Sequence, residues 1–360
     1  MHRARRVFRS LERDLDAVVV LNSPTPDPSF GWATDLVHGG VYEGCAAVLR
    51  PRARPAVVVP PLEAPTARKG DVRVHVFPRR DRADAVLGQA LDGASDVGLD
   101  LDHVPVNRLK RLKRAIPGVR WHDAGAAIAD ARMVKDATEI DRIRRAARLI
   151  SRIADSVPDR LRPGMTERAL AAELVRDMSI ESQGPSFDPI VAFGATSAEP
   201  HYRPQQRRLR AGPVLVDMGA KVDGYCSDIT RTYHLGRPSR RFESMYWTVH
   251  DALHAAIDAV GPGVEGTAVD AAARKVIDRS PFKGRFIHGT GHGLGVEVHD
   301  PGSLNPTTDT VLEPGMVVTI EPGIYLDGQA GVRIEEDVLV TKTGRKVLTS
   351  ASTDLVCVGA

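Results

Sequence analysis

"LRPGMTERALAAELVRDM" (residues 161–178) is answered by "VGPGVEGTAVDAAARKVI" (260–277), with Pro163-Gly164 matched by Pro262-Gly263 at an offset of 99. Each stretch follows a helical run with one apolar face and leads into a glycine-bearing stretch that ends near a histidine, His201 or His299. "GPVLVD" (212–217) and "GMVVTIE" (315–321) then begin with glycine, run apolar as strands do and end in a carboxylate. A second carboxylate-bearing strand follows in both places, at "YCSDITRTY" (225–233) and "GVRIEED" (331–337). A period this long, seen twice, is not that of a solenoid. It predicts an α+β half-domain, duplicated and folded into one pseudo-symmetric domain.

The strand ends carry the chemistry. Asp217 and Asp228 are joined by "MGAKVDGYCS" (218–227), whose Gly and Asp fit a hairpin turn. Placed opposite each other on an antiparallel ladder, they bring their Cβ atoms to ~4.5–5.5 Å. Two ionised carboxylates repel at that range, and burial adds to the cost. A cation between them removes the conflict. Glu321 and Glu335 repeat the arrangement, and "HGTGHGLGVEVHD" (288–300) supplies His292 on a glycine-rich backbone suited to close approach. Four carboxylates and one imidazole make a hard site whose charge matches two divalent ions, with Mn, Co, Fe or Zn all compatible.

Residues 1–132 read differently. Short β-branched runs at 16–21, 44–51, 54–61, 71–78 and 96–101 alternate with helical segments at 82–91 and 107–116, which predicts a smaller α/β domain. A new unit, 133–360, opens with Asp136 and Glu139 in capping-box spacing ahead of Ile140, Ile143, Ile150 and Ile153 on one helix face.

Net charge is +3 with no basic patch, so no nucleic-acid partner is expected. No apolar run approaches the ~18 residues of a membrane span. "MHRARRVFRSLERDL" (1–15) reads as a solvated first helix, not a transit segment, because Glu12, Asp14 and Asp16 interrupt its positive charge. Cys45, Cys226 and Cys357 make no disulfide framework, and a reducing cytoplasm is the expected location. Cys226, two residues from Asp228, reads as a small buried hydrophobe. "HDALH" (250–254) has Asp251 where a zincin needs Glu, and Leu294 and Val296 interrupt a dinucleotide-type glycine pattern.

Four motifs in order, "LVDMGAKVDGYCSDITRTYHLG", "IHGTGHGLGVEVHD", "TIEPGIY" and "GVRIEEDVLVT", resemble those of the pita-bread (creatinase/methionine aminopeptidase-like) metallopeptidases over residues 136–355. The similarity is greatest to the branch of Xaa-Pro dipeptidase (prolidase) and Xaa-Pro aminopeptidase, and the first unit is similar to the creatinase-type N-terminal domain. The resemblance implies two divalent ions (Mn, Co or Zn) on Asp217, Asp228, His292, Glu321 and Glu335. It makes His201, His288, His299, Glu321 and Arg333 catalytic, with His201 and His299 also substrate-binding and His299 beside the proline carbonyl. His288 lies in the same pocket segment, and Arg333 buttresses the second hairpin.

The implied reaction is hydrolysis of an X–Pro bond in a small peptide with proline second. A metal-bridged hydroxide is the nucleophile, and Glu321 carries a proton to the leaving nitrogen. A homodimer is also implied. The sequence departs from the family pattern at "SFGWATDL" (29–36), at Pro213, where Asp is frequent, and at Asp300, which replaces a common Glu. The same fold hosts a creatine hydrolase without these ligands, a lyase acting on a sulfonium compound, and inactive binding modules that have lost one or more ligands. Five intact ligands favour the hydrolase.

Overall fold

The computed structural model describes residues 2–23 and 26–359. It divides into two compact units, up to Arg132 and from Met133 onward.

The first unit contains α1 (His2–Arg9), β1 (Ala17–Asn22), α2 (Pro28–Thr34), β2 (Cys45–Leu49), β3 (Ala56–Val59), α3 (Ala64–Ala67), β4 (Arg73–Val76), α4 (Ala83–Ala90), β5 (Asp96–Leu99), α5 (Val106–Ala115), β6 (Arg120–Asp123) and α6 (Gly125–Met133). Its sheet runs β4-β3-β2-β1-β5-β6. The run AVVVLN is buried along its whole length in β1, antiparallel to β2 and parallel to β5. An uninterrupted β-branched run is what a strand covered on both faces requires. The five predicted strands form; β6 was not foreseen, because RWHD at a sheet edge has no apolar alternation. "SFGWATDL" largely forms α2, capped by the Asp27 carboxylate, which accepts from Ser29 N at 2.8 Å. The first helix is not wholly solvated: Ala4 and Val7 are buried, so one face packs.

The second unit opens with the predicted capping box. Asp136 accepts from the Thr138 and Glu139 amides, and Glu139 accepts from Asp136 N at 2.9 Å, starting α7 (Ala137–Asp155). The first half continues with α8 (Glu167–Glu181), β7 (Ile190–Phe193), β8 (Gly212–Met218), β9 (Lys221–Val222), β10 (Tyr225–Cys226) and β11 (Ile229–Leu235). The second half follows the same plan: α9 (Arg240–Ala259), α10 (Gly266–Asp278), β12 (Gly291–Gly293), β13 (Asp300–Leu304), β14 (Val317–Ile320), β15 (Gly323–Leu326), β16 (Ala330–Arg333) and β17 (Glu336–Thr341). β18 (Gly344–Val347) and β19 (Cys357–Val358) close the chain.

The two sheets correspond strand for strand, as β7-β8-β11-β19 and β12-β14-β17-β18, with β13 added at the edge of the second. Symmetry fails at the outer edge, where β19 is parallel to β11 but β18 is antiparallel to β17. Each helix pair covers its own sheet: Ile150, Leu170 and Leu174 meet Val191, Val214 and Val216, while Val249, Leu253 and Val269 join the cluster of Val318, Ile320 and Val338.

Each second strand is broken rather than continuous. Short hairpins, β9–β10 and β15–β16, sit between the paired ladders, and the breaks fall at Ser227-Asp228 and Ile334-Glu335. Asp217 therefore faces Thr230, not Asp228, across the β8–β11 ladder. Freed from its own sheet, the Asp228 amide donates to Asp337 Oδ2 at 3.2 Å, and the Glu335 amide donates to the Thr230 carbonyl at 3.1 Å. Residues 228 and 230 of one half correspond to 335 and 337 of the other, so these bonds are reciprocal. They stitch the halves together at the carboxylates. Two glycines permit the close packing: a Cβ on Gly219 would lie 2.0 Å from Ser227 O, and one on Gly291 would lie 1.9 Å from Thr319 O.

Candidate metal centre

All nine residues singled out above, His201, Asp217, Asp228, His288, His292, His299, Glu321, Arg333 and Glu335, line one cavity of about 880 Å³. Its centre is the meeting of the strand breaks. Ligand atoms of Asp228, His292 and Glu335 all lie within 4.8 Å of one another. His292 Nε2 stands 3.8 Å from Asp228 Oδ2 and 3.5 Å from Glu321 Oε1. Those separations are long for hydrogen bonds. They suit donors arranged around an ion ~2.0–2.2 Å from each.

His292 is prepared for such a role. Its amide donates to Thr319 Oγ1, and its Nδ1–H donates to the Gly293 carbonyl at 3.0 Å, leaving Nε2 as the free lone pair. Burial lowers its pKa to about 4, so the ring is neutral at pH 7. Its ring also meets His299 edge to face, with centroids 4.3 Å apart.

The carboxylates are crowded together out of water, which disfavours their charged forms. Burial, reinforced by neighbouring carboxylates, raises Asp228 and Glu335 well above the ordinary range, and burial lifts Glu321 to about 8. Asp217 Oδ1 and Asp228 Oδ1 are buried with no hydrogen-bond partner. Buried acceptors are rarely left so, and these two face a cluster whose one guanidinium is already engaged. This donor set fits divalent metal ions.

Arg333 is that guanidinium, almost wholly buried. It donates from Nη2 to Asp217 Oδ2 at 2.6 Å, from Nε to Thr230 Oγ1 at 3.1 Å and from Nη1 to the Tyr325 hydroxyl at 2.9 Å. Thr230 Oγ1 in turn donates to Glu335 Oε2 at 2.6 Å. The Tyr325 hydroxyl lies 2.9 Å from His288 Nε2, and His288 Nδ1 lies 2.8 Å from the Gly289 carbonyl. Burial, with the nearby Arg333 charge, lowers His288 to about 4. A neutral His288 donates from Nδ1 and accepts from Tyr325, so both ring nitrogens are occupied.

His201 and His299 are exposed on the cavity wall. The His201 loop is tied down by Glu167, wholly buried at the start of α8. Glu167 accepts from Phe193 N, Thr196 Oγ1, the Tyr202 hydroxyl and Gln205 N, all at 2.8–2.9 Å. Sequence reasoning missed Thr230, Tyr325, Asp337 and Glu167. Two of them carried a signal: Thr230 shares a strand face with Asp228 by period two, and Tyr325 lies within the "TIEPGIY" motif.

The sequence of this unit matches the model for metallopeptidase family M24 over residues 141–342, and the first unit matches the creatinase/prolidase N-terminal domain over residues 3–134. The chain belongs to metallopeptidase family M24, whose members use divalent metals. It is 38% identical over 262 residues to "Putative dipeptidase YkvY" of Bacillus subtilis (strain 168), covering 72% of each chain. Among solved structures, the prolidase from Pyrococcus horikoshii OT3 superposes with a TM-score of 0.89 at 29% identity, over 99% of this chain and 100% of that one. The Xaa-Pro dipeptidase from Bacillus anthracis gives 0.91 at 28% identity, over 99% of both chains. Among the described residues no helix is long and apolar enough to cross a membrane.

Proposed function

We propose that this metallopeptidase hydrolyses the X–Pro bond of dipeptides or short peptides, using two divalent ions held by Asp217, Asp228, His292, Glu321 and Glu335. The observation that carries the reading is the pair of buried, unpartnered oxygens, Asp217 Oδ1 and Asp228 Oδ1, on residues of the cavity that holds the Asp228–His292–Glu335 cluster. Bound there, divalent ions supply an activated water and polarise the scissile carbonyl.

The protein's own residues do the rest. His201 and His299, exposed in the cavity, donate to the oxygen on which negative charge develops. Glu321, on the cavity wall beside His292, is the group suited to pass a proton to the leaving proline nitrogen. Arg333 positions Asp217, and His288 acts through Tyr325 to hold Arg333 in place. A proline amide has no N–H and a fixed φ, so its recognition relies on shape. Phe187, Ile190, Ile287 and Val298 form the apolar part of the wall. A homodimer in the cytoplasm, without nucleic-acid or membrane partners, completes the proposal.

The test is hydrolysis of Ala-Pro and Ala-Pro-Ala by protein stripped of metal and refilled with Mn, Co or Zn. Cleavage of the dipeptide alone identifies a dipeptidase, and cleavage of the tripeptide an aminopeptidase. No cleavage with any metal refutes the reading.

A further inference from the structure

Helix α9 carries two imidazoles that the cavity does not use. His250 and His254 are one turn apart, so both rise from the same face. Their Nε2 atoms stand 3.2 Å apart, with ring centroids at 4.4 Å and ring planes crossing at 60°. Two nitrogens ~2.0–2.1 Å from one ion, at an angle of about 90–110°, are themselves roughly 2.9–3.4 Å apart. The observed spacing lies inside that range.

The surroundings suit a ligand pair. His250 Nδ1 is buried with no hydrogen-bond partner and faces Asp251 Oδ1 at 3.7 Å. Ligation through Nε2 places the ring proton on Nδ1, toward that carboxylate, the arrangement that orients metal-bound histidines elsewhere. Burial and the neighbouring His254 both lower the His250 pKa, which keeps the ring in its ligating form at pH 7. His254 is exposed, leaving open coordination positions to water. Trp247 packs edge-on against His250, with centroids 5.1 Å apart.

We infer that His250 and His254 form a second, bidentate metal site on α9, for a borderline transition ion such as Zn, Ni or Cu and not for hard Mn or Mg. The site shares no residue with the catalytic cavity and does not rest on the peptidase reading. It follows that metal uptake by the stripped protein depends on the ion offered, with Zn, Ni or Cu exceeding Mn.

Trp247 makes the site readable. The chain's two other tryptophans, Trp32 and Trp121, lie in the first unit. The full chain, freed of metal, is titrated with Cu²⁺ alone while tryptophan fluorescence is followed. Wild type is expected to lose Trp247 emission. In His254→Ala the midpoint moves to higher Cu²⁺ by on the order of ten-fold or more, since one arm of the chelate is gone. His254→Gln, which preserves side-chain bulk, gives the same shift, and Trp247→Phe removes the signal. Mn²⁺ leaves emission unchanged. Superimposable titrations for wild type and both His254 variants overturn the inference, as does quenching that persists in Trp247→Phe. Peptide hydrolysis by His254→Ala reports on the cavity alone, so a failed peptidase reading leaves the titration interpretable.

Discussion

Glu321→Gln should inactivate the enzyme and yet stabilise the metal-stripped protein. Burial lifts the Glu321 carboxyl from its ordinary 4.5 to about 8. At about 1.4 kcal/mol per pH unit, holding the anion in place costs at most about 5 kcal/mol. Glutamine keeps the shape and has no anion to bury. The native state binds its proton more tightly than the unfolded chain does. Between about pH 4.5 and 8 it therefore carries the extra proton, and stability falls as pH rises through that window. Wild type and variant should match near pH 4.5 and diverge above it. The gap should reach about 3 kcal/mol at pH 7, or roughly 6–12 °C in Tm by the size scaling of domains. Calorimetry of chelator-treated protein from pH 5 to 8.5 measures this. Added Mn, Co or Zn should reverse the order, because ligands that bind only the folded state stabilise it and the variant lacks one donor. A gap that stays constant with pH, or a variant less stable at pH 8, would falsify the placement of Glu321 in a buried anionic cluster.

Three further outcomes are expected. His292→Ala should abolish both metal binding and turnover, checked by metal analysis after desalting alongside a peptide assay; normal activity would sink the ligand assignment. Lys135 and Asp300 form an ion pair at 3.0 Å with both side chains 1% exposed, so Lys135→Met should cost ~3–5 kcal/mol in urea unfolding. The double variant Lys135→Met/Asp300→Leu should recover most of that, and no recovery would mean the loss is not electrostatic. Glu167→Gln leaves part of a four-donor set unsatisfied at a cost of about 1–3 kcal/mol, and it should lower kcat while metal content stays at the wild-type level. A variant that instead loses metal would place the damage at the centre, not at the His201 loop.

Much of this architecture is local and was legible. Helix faces and strand runs recur at fixed periods in the chain, so the duplicated halves, the capping box at Asp136 and the carboxylates at the strand ends could be read without coordinates. So could His292, because clustered glycines report backbone that must pass close to something, here Thr319 O beside Gly291. The pairing of Asp217 with Thr230 was not legible, since register depends on where the hairpins β9–β10 and β15–β16 interrupt the ladders.

Nor was the use of Thr230, Tyr325 and Asp337 as the frame of the centre. The Asp228–Asp337 and Glu335–Thr230 bonds join residues more than 100 positions apart. They exist only when the two halves dock. The sequence by itself determined which side chains each half offers, because strand and helix periodicity is a property of neighbouring residues. The tertiary structure alone decided which of them meet, because that contact is made between β11 of one half and the β16–β17 break of the other, and not within any stretch of chain.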